Sequence, residues 1–163
     1  MKNAAYYIEQ LRMEPHPEGG YFREYLLGRE TASIHGEADQ NLYSSIFFLL
    51  REGEVSHLHR IHCDEVWYFH DGEPLTIYML SPDGGLSERV LGLEIESGQM
   101  PQLVVPAGTW FGAAMKRPGF SLVGCMCAPC FRYDRFELMT GSELRSGFPQ
   151  YAARLSVLVQ EGE

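Results

Sequence analysis

Between Leu42 and Cys127 the sequence breaks into short apolar runs, each of strand length and each closed by a turn signal. Leu42 to Leu50 (LYSSIFFLL), Val55 to His59, Glu65 to His70 and Pro74 to Leu80 (PLTIYML) follow one another with few residues between them. Ser81-Pro82-Asp83-Gly84-Gly85 is a strong turn, and Leu86 to Leu93 is a weaker strand after it. Gly98 to Val105, a turn at Pro106-Ala107-Gly108, Trp110 to Met115 and Phe120 to Cys127 complete the series. Strands this short can bury their apolar faces only by stacking against one another, so the spacing predicts a β-sandwich or barrel.

The two ends read differently. Asn3 is placed to cap a short helix running to Leu11, with Tyr7, Ile8 and Leu11 on one side. Glu14-Pro15-His16-Pro17-Glu18-Gly19-Gly20 breaks that helix and holds the backbone extended before turning it. Tyr21 to Leu27 alternates as a strand, with Phe22 and Glu24 facing opposite to Arg23. Gly28 to Gln40 is polar, has no period and reads as a long loop. Thr140 to Leu155 is helical in pattern, interrupted at Gly147 and Pro149. At 163 residues, with no repeat and no linker, the expectation is one all-β domain over 1–163 with short helices at both ends.

Charge and cysteines narrow the function classes. The formal charge is −9 and no Lys/Arg cluster occurs, which argues against nucleic acid and against an anionic membrane surface. No apolar run approaches a membrane span, and the N-terminus lacks the apolar core of a signal peptide. Four cysteines, Cys63, Cys125, Cys127 and Cys130, are few for a secreted domain, so a cytoplasmic protein with reduced thiols is expected. Cys125-Met126-Cys127-Ala128-Pro129-Cys130 has no second cluster to complete a zinc site and reads as buried strand cysteines.

The chemistry concentrates in Gly53 to Gly72 (GEVSHLHRIHCDEVWYFHDG), which holds four of the six histidines: His57, His59, His62 and His70. In an extended strand His57 and His59 share one face, and Glu65, Trp67 and Phe69 share a face further on. Imidazoles beside a carboxylate can bind a divalent metal or act as acid and base. A wet strand end with hydrogen-bonded histidines is the alternative.

These residues resemble the motifs of jelly-roll cupins. Gly53…His57-Leu58-His59…Glu65…Gly72 resembles the first cupin motif, and Gly98…Pro106-Ala107-Gly108 the second. More closely the chain resembles the cupin-5 family, formerly a domain of unknown function, over roughly residues 5 to 155. The matching segments are Glu14 to Arg23, Ser44 to Leu50, His59-Arg60 with Asp64 to Trp67, Pro101 to Trp110, Ser121 to Cys125, Ala128-Pro129 and Phe136 to Leu138. The resemblance implies a single jelly roll close in shape to deoxysugar epimerases of the RmlC-like kind, and pairing into a homodimer through edge strands. It implies no settled reaction. Two departures bear on metal. Five residues, Arg60 to Asp64, separate His59 from Glu65, more than the motif usually carries. Phe111 stands where the second motif offers a histidine. No cofactor is therefore expected; a divalent metal, if bound, would use His57, His59 and Glu65.

Three functions are compatible with these residues. One is a metal-independent epimerase or isomerase acting on a sugar, sugar nucleotide or similar small molecule, with His59 as base and Glu65 orienting it. In that reading Arg23 clamps a polar or anionic ligand from a lid formed by His16 to Arg23, and Glu18 is a further polar contact. His16, Glu18, Arg23, His57, Trp67, Trp110 and Phe111 are the ligand-binding candidates, the aromatic ones for stacking. The second is a binding module that uses the same pocket without turnover. The third is a metal-dependent cupin enzyme such as a dioxygenase or isomerase.

Overall fold

The structure is a computed structural model that describes residues 2–160. The strands in chain order are β1 (Glu14–Pro15), β2 (Tyr21–Leu27), β3 (Thr31–Ile34), β4 (Glu37–Asn41), β5 (Ser44–Arg51), β6 (Val55–Arg60) and β7 (Asp64–Gly72). They continue as β8 (Leu75–Leu80), β9 (Leu86–Leu91), β10 (Gln102–Val105), β11 (Trp110–Met115), β12 (Phe120–Ala128) and β13 (Glu137–Leu138). Helix α1 (Ala4–Gln10) precedes them, and α2 (Gly141–Gly147) and α3 (Ala152–Leu155) follow. One sheet has the order β1-β2-β5-β12-β7-β10 and the other β13-β6-β11-β8-β9, with every ladder antiparallel. The result is the two-sheet sandwich expected from the strand spacing, in the jelly-roll form that the cupin resemblance implied.

The strands are apolar on both faces where both faces are covered. Phe48, Leu50, Trp67, Ile77, Phe111 and Val123 fill the space between the sheets. Leu49 and Leu122 point the other way, beneath Tyr7, Ile8 and Leu11 of the N-terminal segment. Leu58 and Leu80 point outward from the second sheet against Leu144, Leu155 and Leu158 of the C-terminal segment. The unbroken apolar run of β5 thus reflects a strand sandwiched between the core and α1.

Both ends carry the caps their sequences call for. The Asn3 side chain accepts from the Tyr6 N–H at 2.9 Å. Thr140 and Glu143 form a reciprocal capping box at the start of α2. Pro149 interrupts the predicted C-terminal helix, which resumes as α3. Among the described residues no helix is long and apolar enough to cross a membrane.

The segment expected to be a loop, Gly28 to Gln40, is instead mostly the hairpin β3–β4, which stands apart from both sheets. Ile34 pairs with Glu37 across a two-residue turn in which His35 and Gly36 have φ of 51° and 83°. Positive φ at both positions is the turn that matches strand twist, and histidine tolerates it better than most residues. The hairpin is polar because it covers no core, so it has no hydrophobic period to read. Arg132 holds it from outside, with Nη1 donating to Glu37 Oε2 at 2.7 Å and Gln40 Oε1 at 3.0 Å. A second boundary also moves. The expected strand Gly98 to Val105 begins only at Gln102, after a 3-10 turn at Ile95–Ser97.

Candidate functional site

A cavity of about 430 Å3 opens between the sheets. Its walls come from Glu14, Phe22 and Glu24 of β1 and β2, Ile46 of β5, His59 of β6, Glu65 of β7 and Cys125 and Cys127 of β12. The N-terminal strap contributes His16 and Glu18, and the segment after β12 contributes Phe131 and Tyr133.

The centre is set by a bulge in β6. His59 pairs with Phe111 of β11, but Ser56 pairs with Ala113, so His57 and Leu58 together face Gly112. One extra residue shifts the pleat and carries side chains three apart to the same face. Ser56 and His59, rather than His57 and His59, therefore point inward. Gly112 permits this, because a Cβ there would lie 2.7 Å from the Ser56 carbonyl oxygen. Gly112→Ala is accordingly expected to lose about 1–3 kcal/mol through overpacking and to pull Ser56 and His59 apart. Unchanged melting and an unchanged His59 resonance would refute this role for the bulge.

Glu18 arrives from the strap. His16 N–H donates to the Gly20 carbonyl and Gly19 N–H to the His16 carbonyl, both at 3.0 Å, closing a tight turn. Gly19 has φ 108°, and a Cβ there would overlap the Val55 carbonyl oxygen, so only glycine lets the strap lie against β6. The His57 backbone N–H and ring Nδ1 both reach the Glu18 carbonyl at 2.7 Å. The Glu18 carboxylate then accepts from Ser56 Oγ at 2.8 Å and meets His59 Nε2 at 3.0 Å. Glu18 and His59 are 6 % and 2 % exposed.

His59 Nδ1 lies 2.7 Å from the His57 carbonyl. With acceptors at both nitrogens, the ring that fits is the imidazolium. Burial opposes its charge, but the Glu18 carboxylate, with Glu65 and the His57 carbonyl, outweighs burial and raises the pKa. Burial likewise opposes the Glu18 charge, and His59 overcomes it and lowers that pKa. His16 is different. Its Nδ1 accepts from the Glu18 N–H at 3.2 Å, and burial keeps its ring neutral, so its 3.8 Å approach to Glu18 is no ion pair.

Glu65 shares the cavity, but its Oε2 completes no hydrogen bond although Trp67 and Cys125 lie close by. Burial first, and then the neighbouring Glu18 charge, push its pKa up to about 7. The partner that orients His59 is therefore Glu18, not Glu65 as the sequence suggested, and Glu65 is the group left free.

The other sequence candidates are dispersed. Trp67 is 1 % exposed and packs between Phe48 and Phe111, with ring centroids 5.8 and 6.3 Å away, behind the cavity rather than on its wall. Phe111 lies against the His59 ring at 4.0 Å and is fully buried. Trp110 faces the C-terminal segment, with the Arg60 guanidinium 4.5 Å above its ring. Arg23 is exposed on the face of β2 opposite to Phe22 and Glu24, so it does not clamp a ligand in this cavity. Ser56, Glu14, Glu24, Cys125, Cys127, Phe131 and Tyr133 were not singled out from the sequence as part of the site. Alternation along β2 and β12 signals Glu24 and the cysteine pair, whereas Glu14 and Tyr133 carry no signal.

Among the described residues no three His, Cys, Asp or Glu side chains gather to hold an ion. His59 spends both ring nitrogens, on the His57 carbonyl and on Glu18, and His57 spends Nδ1 on the Glu18 carbonyl; Phe111 offers no donor. The four cysteines are free, and Cys63, Cys125 and Cys127 are buried.

Two curled antiparallel sheets around a histidine–carboxylate cavity define a cupin. The chain belongs to the family described as Cupin superfamily (DUF985), whose model matches residues 5–139. A Shewanella oneidensis protein of known crystal structure is 46% identical, with a TM-score of 0.93 over 99% of this chain and 100% of that one. A hypothetical protein from Leishmania major is 31% identical, with a TM-score of 0.91 over 98% of this chain and 100% of that one. A variant of Bacillus subtilis oxalate decarboxylase shares the fold alone: 14% identity and a TM-score of 0.58 over 90% of this chain and 37% of that one. No curated protein sequence matches the chain.

Proposed function

We propose that this cupin is an intracellular enzyme that moves a proton on a small polar molecule without a resident metal, as an isomerase or epimerase does. The observation that carries the reading is Glu65: a buried carboxyl on the cavity wall with one oxygen that has no hydrogen-bond partner. At a pKa near 7 it can both give and take a proton at neutral pH. His59, with both ring nitrogens engaged by Glu18 and the His57 carbonyl, is a positioning residue that holds the Glu18 carboxylate in the cavity wall beside Glu65. Tyr133 at the rim keeps its proton, because burial and the nearby Glu18, Glu14 and Glu24 raise its pKa; its hydroxyl is a neutral donor. The cavity volume suits a ligand of sugar size, and the free thiols suit a reducing compartment.

The test is solvent exchange. Candidate sugars and sugar derivatives are incubated with the protein in D2O, and loss of carbon-bound proton signals is followed by NMR. Exchange that disappears in Glu65→Gln supports the reading. Ligand binding without exchange in any compound converts the protein to a capture module.

We also propose a homodimer. β1 covers β2 only at Tyr21 and Phe22, leaving an open edge that carries exposed Tyr25, Leu26 and Leu27. A second copy can pair with that edge about a two-fold axis. Light scattering is expected to give twice the chain mass of 18.5 kDa; a monomer at micromolar concentration would refute it.

A further inference from the structure

The cavity wall is unbalanced in charge. Four of its side chains are glutamates and none is Lys or Arg. His59 and Glu18 cancel each other at 3.0 Å. Glu14, Glu24 and Glu65 have no ion-pair partner among the described residues, and Arg132 and Arg135 are engaged with Glu37 and Asp134 outside the cavity. An anion placed here would meet three carboxyl groups and no cation. Beside Ile46, Ile61 and the cysteines, the rest of the wall carries aromatic faces: Phe22, Phe131, Tyr133 and the neutral His16. Carboxylates interleaved with aromatic faces are the recognition chemistry of an organic cation. Among the described residues no three His, Cys, Asp or Glu side chains converge to hold a bare metal ion. The acidic cluster does not stand alone, because Glu65 lines the cavity, is only 7 % exposed, and completes no hydrogen bond through Oε2.

We propose that the cavity takes a protonated amine on a carbon skeleton of about sugar size, with Glu65 as the inner counter-charge and Glu14 and Glu24 at the rim. The proposal rests on the cavity being the ligand site, as the enzyme reading also does, and adds the sign of the ligand. The ammonium replaces the proton that Glu65 carries, so binding near neutral pH releases a proton. Glu65 meets Glu18 from the strap, His59 from β6, Trp67 on its own strand, and Cys125 and Cys127 from β12. His59 is the one cation in that set, and Glu18 already occupies it.

Two matched series test this by calorimetry: glucosamine, glucose and glucuronate, and phenethylamine, phenylethanol and phenylacetate. Each series sets an ammonium, a hydroxyl and a carboxylate on closely related skeletons of similar size. The ammonium member is expected to bind about ten-fold or more tighter than the neutral one, a difference of about 1.4 kcal/mol, and the carboxylate not at all. Repeating the titration in buffers of different ionisation enthalpy is expected to show proton release, lost in Glu65→Gln. Glu14→Gln and Glu24→Gln, both at exposed positions, are expected to weaken the amine several-fold and leave the neutral member unchanged. Equal affinity within both series, tighter binding of a carboxylate, or an amine preference that survives all three substitutions overturns the proposal. Absence of any binding by either amine at millimolar concentration does so too. Neutral sugars that bind and exchange protons would sink this inference and leave the enzyme standing; amines that bind without exchange would do the reverse.

Discussion

Glu65→Gln is expected to melt about 6–12 °C higher than the unsubstituted chain in alkaline buffer, the equivalent of about 3 kcal/mol. Below pH 4.5 the two should converge. The folded pKa of Glu65 is about 7 against 4.5 in the unfolded chain. Between those values the unfolded chain has released a proton that the folded chain still holds, so the folded state loses stability as pH rises through that window. Above it the cost is constant. Glutamine keeps the shape and never ionises, so the variant escapes the cost altogether. Thermal melts across a pH series measure the difference directly. A Gln variant with no advantage above pH 7 would show that the carboxylate of Glu65 is not confined to a dry site.

Glu18→Ala is expected to cost about 3–5 kcal/mol, because it strands a buried imidazole whose charge the carboxylate supports. The pH dependence separates this from a simple loss of contacts. In the unsubstituted chain the raised His59 pKa contributes stability that is fully present below 6.5 and is lost as pH rises through the folded value. Without Glu18 burial dominates and holds His59 below 6.5, so the variant loses stability as pH falls through 6.5. Glu18→Gln, which retains an acceptor for Nε2 but no charge, should fall between the two. Parallel pH profiles for all three proteins would show that His59 is not charged in the fold.

Much of the sandwich was legible because its signals are local. Turn residues closed each strand, and alternation placed Phe22 with Glu24 and Glu65 with Trp67. The site was legible only in part, because its geometry depends on departures from local regularity. A strict two-residue period puts His57 beside His59. The bulge opposite Gly112 puts Ser56 there instead, and nothing in Val55 to His59 announces an extra residue. Pairing was misread for a related reason. Glu65 is near His59 in sequence, while Glu18 reaches it from the far side of β2 and β5. Arg23 is a cation beside the stiff Pro/Gly strap, yet the alternation that sends Phe22 inward sends Arg23 out. The hairpin β3–β4 lacks a core face, so its polar residues carry no period.

The strap bearing Glu18 has a consequence for how the chain finishes folding. The strap meets β6 through Glu18, 38 positions from Ser56, and belongs to no sheet ladder, so it can settle onto sheets that have already paired. Chains with both sheets assembled and the strap still loose would leave His59 without its carboxylate, and so neutral. Laying the strap down brings the charge with it. The last step of assembly is then one that takes up a proton from solvent, and acid should speed it while leaving the earlier pairing of the sheets untouched.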